Sequence, residues 1–119
     1  MVKIDDLENI LDELAELGVY GSAVMNKDGT SIASDLPGNV NNNTFSIMCA
    51  TAMGAGRTAN AELGKKPLDK ISIDSSEYRI VIVNAGRKMV LSVIVNSSLN
   101  FKDIETSIFR AARIIDEMD

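Results

Sequence analysis

The sequence predicts an α/β sandwich of three layers, with a five-stranded sheet between helices on both of its faces. Two observations carry this. Three segments repeat apolar residues with helical period, while five short ones alternate or run continuously apolar. Two of the five, Tyr78 to Ala85 and Met89 to Val95, are apolar on both faces. Central strands of that kind need a helical layer above and below them. A chain of 119 residues is expected to form one domain over 1–119.

In order, Val2 to Leu17 places Ile4, Leu7, Ile10, Leu11, Leu14 and Leu17 on one helical stripe, with Asp5, Glu8, Asp12, Glu13 and Glu16 opposite. Gly18 caps that helix at its C-terminus. Val19 to Met25 reads as a strand. Asn26-Lys27-Asp28-Gly29 then makes a turn into a second strand, Thr30 to Ser34, with Gly29 supplying a positive φ. After Leu36-Pro37-Gly38, the polar run Asn39 to Asn43 offers N-caps for a helix from about Thr44 to Leu63, closed by Gly64. Lys70 to Asp74 alternates as an edge or half-buried strand would. Gly86-Arg87 fits a two-residue hairpin with Gly first, joining the two apolar strands. Ser98 or Asn100 caps a last helix from Phe101 to Met118, buried through Phe101, Ile104, Ile108, Ala111, Ala112 and Ile115.

Composition excludes several functions. A net charge of -5 leaves no basic face for nucleic acid or for an anionic membrane surface, so neither is expected as a partner. The longest apolar run, Ile80 to Val83, cannot span a bilayer. The start of the chain reaches acid at once and lacks the apolar core of a signal peptide. A single cysteine, Cys49, cannot form an internal disulfide; with no leader, cytoplasmic residence is expected. There is no His, hence neither the commonest general base nor the commonest metal ligand.

The middle helix is the informative one. At about 100° per residue its apolar residues fall into two groups. A broad face holds Phe45, Met48, Cys49, Ala52, Ala55, Gly56, Ala59 and Leu63; a narrower stripe holds Ile47, Ala50, Gly54 and Ala61. Polar residues fill the boundaries, with Ser46, Arg57 and Asn60 on one flank and Thr51, Thr58 and Glu62 on the other. A helix apolar on two faces is buried on two faces. One face packs on the sheet. The other, rich in small residues, fits a second copy across a two-fold axis, and pairing of the Ile71–Ile73 strand with its mate would cover a free sheet edge. Ile47, Ala50, Gly54, Ala61, Ile71 and Ile73 are therefore the expected dimer contacts. Thr51, Arg57, Thr58 and Glu62 are the expected partner-facing residues beside them.

Other motifs carry little chemistry. Gly54-Ala55-Gly56-Arg57-Thr58-Ala59 matches a relaxed dinucleotide fingerprint, but lies inside a helix instead of opening one after a strand. Cys49 sits on the broad apolar face with no His or basic neighbour, as a core residue would. The carboxylates of the first helix lie on its solvated side, where nothing tunes one of them for acid–base work. Asn42-Asn43-Thr44 and Asn96-Ser97-Ser98 match the glycosylation pattern, which has no meaning in the cytosol. Arg57 could reach a partner's acidic group or a nucleotide phosphate as an arginine finger, although a solvated Arg beside a dimer seam is the simpler account. No cofactor, metal or catalytic residue is expected.

The order of segments, with Gly-Val-Tyr-Gly-Ser-Ala-Val-Met-Asn-Lys-Asp-Gly-Thr over residues 18 to 30, resembles the roadblock (dynein light-chain) family. The small-residue middle helix and the apolar hairpin Tyr78 to Val95 agree with it, and the likeness spans essentially the whole chain. The resemblance implies a profilin-like, five-stranded antiparallel sheet in the order 2-1-5-4-3, with the middle helix on one face and the terminal helices on the other. It also implies a homodimer that joins third strands and middle helices, and a non-enzymatic role as scaffold or regulator of a Ras-like small GTPase. An alternative is a small-molecule sensor with a pocket lined by Ala52, Ala55 and Gly56 under the middle helix.

Overall fold

The computed structural model describes residues 2–118. The elements follow in the order α1 (Ile4–Glu16), β1 (Gly21–Asn26), β2 (Ser31–Asp35), α2 (Asn42–Ala61), β3 (Lys70–Asp74), β4 (Tyr78–Asn84), β5 (Met89–Asn96) and α3 (Phe101–Met118). The strands form one antiparallel sheet in the order β2-β1-β5-β4-β3, as the resemblance implies.

Local chemistry explains the boundaries. Gly18 takes φ +101° just past α1, and its N–H donates to Ala15 O. Only glycine reaches that left-handed conformation without strain. In the β1–β2 turn, Gly29 takes φ +95°, while Asp28 Oδ1 accepts from Thr30 N–H at 2.9 Å. Asn41 caps α2 by accepting from Thr44 N–H at 2.9 Å, and Asn100 Oδ1 accepts from Lys102 N–H at the start of α3. The hairpin between β4 and β5 is longer than the two residues expected. Ala85 to Lys88 form the loop, closed by Ala85 N–H to Met89 O at 2.9 Å, with Gly86 at φ +93°.

Alternation along the strands feeds two cores. On one face Val24, Val81, Val83, Leu91, Val93 and Val95 meet Leu7, Leu11 and Leu14 of α1 and Ile104, Ile108 and Ile115 of α3. On the other, Ala23, Met25, Ile82 and Val90 meet Cys49, Ala50 and Met53 of α2. Two helices thus cover one face and a single helix crosses the other. One helix cannot hide a whole five-stranded face. Part of that face stays open beside β3.

Candidate functional site

The site is the surface that α2 and β3 present on the singly covered face. Ser46, Cys49, Ala50 and Met53 of α2 are buried, a spacing of three and four residues that marks the inner stripe. Polar residues stand at both ends of that stripe, each with a partner. Ser46 Oγ donates to Asn42 Oδ1 at 3.4 Å, Arg57 Nη1 to Asn84 Oδ1 at 2.8 Å, and Asn60 Nδ2 to Lys66 O at 2.8 Å. Satisfied in this way, polar groups can sit against a sheet. The exposed stripe opposite carries Thr44, Ile47, Met48, Thr51, Ala55, Thr58, Ala59 and Glu62.

Both faces of α2 are therefore turned by about a quarter of a circle from those that the apolar residues alone indicate. Ala50, expected on the outer stripe, is only 5 % exposed and packs with Ala23, Met25, Ile82 and Val90. Ala61 is exposed, whereas Arg57 reaches down to the end of β4 instead of flanking an outer seam. Conversely Met48, Ala55, Ala59 and Leu63, assigned to the sheet side, lie on the exposed side. Ile47 and Gly54 keep an outward place: Ile47 is 46 % exposed, and no atom outside Gly54's own helix lies within 4 Å of where its Cβ would stand. Thr51, Thr58 and Glu62 are exposed at the centre of the outer face. The hydroxyls of Thr51 and Thr58 donate back to Ile47 O and Gly54 O, at 2.7 and 3.1 Å, so neither depends on solvent.

β3 closes the sheet and bonds only to β4, which leaves its other edge open. Ile71 and Ile73 point to the α2 side, opposite Ile82 and Ile80. Ile71 fills the notch above Gly56, where a Cβ would stand 2.5 Å from Ile71 Cδ1. Ile73 is 45 % exposed. It borders two adjoining apolar hollows of 310 and 340 Å³, which share Val40, Phe45, Ile73 and Ile80. Met48 and Cys49 line the first; Tyr20, Tyr78 and Ile94 line the second. The Tyr20 and Tyr78 rings meet at 4.8 Å between centroids. Burial pushes the Cys49 thiol up, with a weaker opposing pull from Ser92, so it stays protonated near neutral pH.

Sequence reasoning missed Met48 and the hollow residues Val40, Tyr20 and Tyr78 as parts of this surface. The helical plot carries the signal for Met48 once Thr51 and Glu62 are taken as the centre of an exposed face. The hollow has no such signal, because Tyr20 and Tyr78 are brought together only by the sheet order. Ala52, Ala55 and Gly56 do not form the pocket expected beneath α2: Ala55 is exposed and Gly56 is filled by Ile71. The Gly54–Ala59 fingerprint lies within α2, with no strand leading into it. Among the described residues, no group of acidic or Cys side chains could hold a metal ion, and no helix is long and apolar enough to cross a membrane.

Comparison with known proteins agrees with this architecture. Two uncharacterized proteins of Methanocaldococcus jannaschii, MJ0714 and MJ1340, are each 34% identical to the chain over 113 residues. The match covers 94% of this chain and 95% and 98% of theirs, respectively. Myxococcus xanthus MglB superposes with a TM-score of 0.91 at 15% identity, over 99% of this chain and 92% of that one. A Roadblock/LC7 domain from Streptomyces avermitilis superposes with a TM-score of 0.84 at 10% identity, over 91% and 92%. Acanthamoeba castellanii profilin II shares the fold more loosely, at a TM-score of 0.65 and 15% identity, over 92% and 95%. The family model for the Roadblock/LC7 domain matches residues 6–96, and the chain belongs to that family.

Proposed function

We propose that the protein is a homodimeric, non-enzymatic platform of the cytoplasm whose partner is a Ras-like small GTPase. The observation that carries the reading is a continuous apolar surface with no cover in the single chain. It runs from Ile47 and Met48 of α2, which are 46 and 57 % exposed, across the hollow to Ile73 on the open edge of β3. Apolar surface of this kind gathered at a bare strand edge favours pairing with another chain. A second copy placed on a two-fold axis along β3 extends the sheet and sets α2 beside its mate. Ile47, Met48, Gly54, Ile71 and Ile73 then meet the twin, while Thr51, Thr58 and Glu62 remain for the partner. The GTPase is what roadblock resemblance implies, and one family neighbour of this fold is described as MglB with tetrameric arrangement.

Two measurements test this. Light scattering gives the subunit number, expected to be two. Capture of Ras-like GTPases from the native cell, loaded with GDP or with GTP, gives the partner. A lone subunit at high concentration removes the dimer; failure to bind in either nucleotide state removes the GTPase.

The hollow also favours a second reading, a small-molecule sensor, because its lining is apolar and its volume suits a ligand. Ligand-dependent melting shifts without any GTPase binding would select it. The dimer competes with it for the same ground, since Ile73 belongs to both.

A further inference from the structure

An acidic protein carries one concentrated basic end. Lys27 lies in the β1–β2 turn and Arg87 in the β4–β5 loop, and the two turns are tied together by Lys27 N–H to Lys88 O at 3.0 Å. Arg57 reaches the same end of the sheet from α2, anchored on Asn84 at the last position of β4. The ion pairs among the described residues, Lys70–Glu105 and Arg79–Asp74, take none of these three. The proximity is felt electrostatically: partial burial pulls the Lys27 ammonium below its ordinary value, and Arg57 and Arg87 add to the effect. Like charges brought together raise the free energy of the free protein, and an incoming anion relieves it.

Two carboxylates also lie at this end, yet the charges that shift Lys27 are those of Arg57 and Arg87. Asp28 accepts from Thr30 N–H within its own turn, and the exposed Asp116 of α3 lies beside Gly86. Six further acids lie elsewhere: Asp5, Asp6, Glu8, Asp12, Glu13 and Glu16 are exposed on α1, which covers the other face of the sheet.

We propose that Lys27, Arg57 and Arg87, gathered from two turns and one helix, form a docking surface for an acidic polypeptide segment of a partner protein. Three observations select this chemistry. Arg57 lies in the last two turns of α2, the end whose dipole repels anions, so the site lacks the helix N-terminus that cradles phosphate. The backbone N–H groups of Lys27 and Ala85 are already bonded, to Lys88 O and Met89 O. What remains is side-chain charge spread over three elements, which suits several spaced carboxylates better than one compact anion. Nucleic acid needs a longer basic track than three groups on a chain of charge -5. The surface stands whether or not the partner is a GTPase, because it asks only for acidic side chains.

Hexaglutamate is the probe, titrated into the isotopically labelled protein at low salt with backbone amide shifts as the readout. Shifts are expected at residues 26–30, 54–58 and 84–88, and they should vanish in roughly 0.5 M salt as screening takes over. The double variant Lys27→Glu, Arg87→Glu should weaken binding by about tenfold or more, since two attractions become repulsions. Lys102→Glu with Arg113→Glu changes net charge equally on exposed sites of α3 and should weaken it by less than about threefold. Both pairs are exposed residues, so folding is retained and is checked by the same spectra. Equal losses in the two variants, shifts elsewhere, or binding of tripolyphosphate without hexaglutamate would each overturn the proposal. Loss of GTPase capture with hexaglutamate binding intact would instead remove only the reading of the partner.

Discussion

Arg57 Nη1 donates to Asn84 Oδ1 at 2.8 Å, and this one bond fastens the C-terminal half of α2 to the end of β4. It explains why a charged residue lies on the inner side of a helix that otherwise buries Met53, Ala50 and Cys49. The two partners are not equivalent. Asn84→Ala leaves a half-buried guanidinium without its acceptor and beside Lys27, and should cost about 1–2 kcal/mol. Arg57→Ala loses the bond but also removes a like charge from Lys27, so it should cost less, about 0.5–1 kcal/mol. The melting temperature should fall by about 4 °C per kcal/mol, measured by circular dichroism. Arg57→Ala proving the more harmful of the two would contradict this account.

Ser22 gives a prediction of opposite sign. It is fully buried in β1 opposite Val93, on the face that packs against α1 and α3, and its hydroxyl has no hydrogen-bond partner among the described residues. Leaving a buried hydroxyl unpaired costs about 1–3 kcal/mol relative to pairing it. Ser22→Ala should therefore be neutral or stabilising by up to about 1 kcal/mol, despite the small volume lost. A clear drop in melting temperature would show that the hydroxyl is paired after all.

The same contrast explains what sequence revealed and what it hid. Strands and turns were legible because Gly29 stands at a forced positive φ and because Ile80 to Val83 is apolar on both faces. Asn41 and Asn100 announced two helix starts through short acceptor side chains. The rotation of α2 was hidden, because its inner stripe is closed by Ser46, Arg57 and Asn60, whose partners come from its own first turn, from β4 and from the loop after it. Periodicity counts apolar residues and cannot see that a distant Asn84 satisfies an arginine. The dimer-facing set was misplaced by the same error at Ala50. The hollow depends on Tyr20 meeting Tyr78 across strands that are far apart in sequence.

Asp74 sets an acid limit. Its carboxylate accepts from Ser72 Oγ at 2.8 Å and from Arg79 Nε at 2.7 Å, and these hold it below its ordinary value of 3.8, the Ser72 bond contributing most. A carboxyl whose value is lowered by folding stabilises the fold above its unfolded pKa and loses that contribution as pH falls through the folded one. Asp28, held by Thr30, shifts in the same direction. Melting temperature should therefore decline as pH drops below about 4, and Asp74→Asn should flatten that decline while changing little near pH 7 beyond the loss of an exposed pair. An unchanged acid slope in Asp74→Asn would place the acid sensitivity elsewhere.

Gly54 and Gly56 stand two residues apart on α2 and face different neighbours, so the same substitutions should separate folding from assembly. A Cβ on Gly56 meets Ile71 Cδ1 at 2.5 Å and Leu68 Cδ2 at 3.2 Å. A methyl there can be admitted if the end of Ile71 moves, but a leucine overpacks the joint and should destabilise the fold by about 1–3 kcal/mol. A Cβ on Gly54 meets nothing within 4 Å outside its helix. In a single chain Gly54→Ala should thus gain about 1 kcal/mol of helix propensity, and Gly54→Leu should fold normally. Across a two-fold seam the outcome reverses, because a leucine holds apart two helices that approach closely at a glycine. Gly54→Leu is expected to melt at or above the parent temperature when dilute, yet to shift from two subunits toward one by light scattering. Gly56→Leu is expected to lose stability at every concentration. Should Gly54→Leu retain the parent's subunit number, α2 does not meet its twin at this position, and the open edge of β3 with Ile73 must carry the assembly instead.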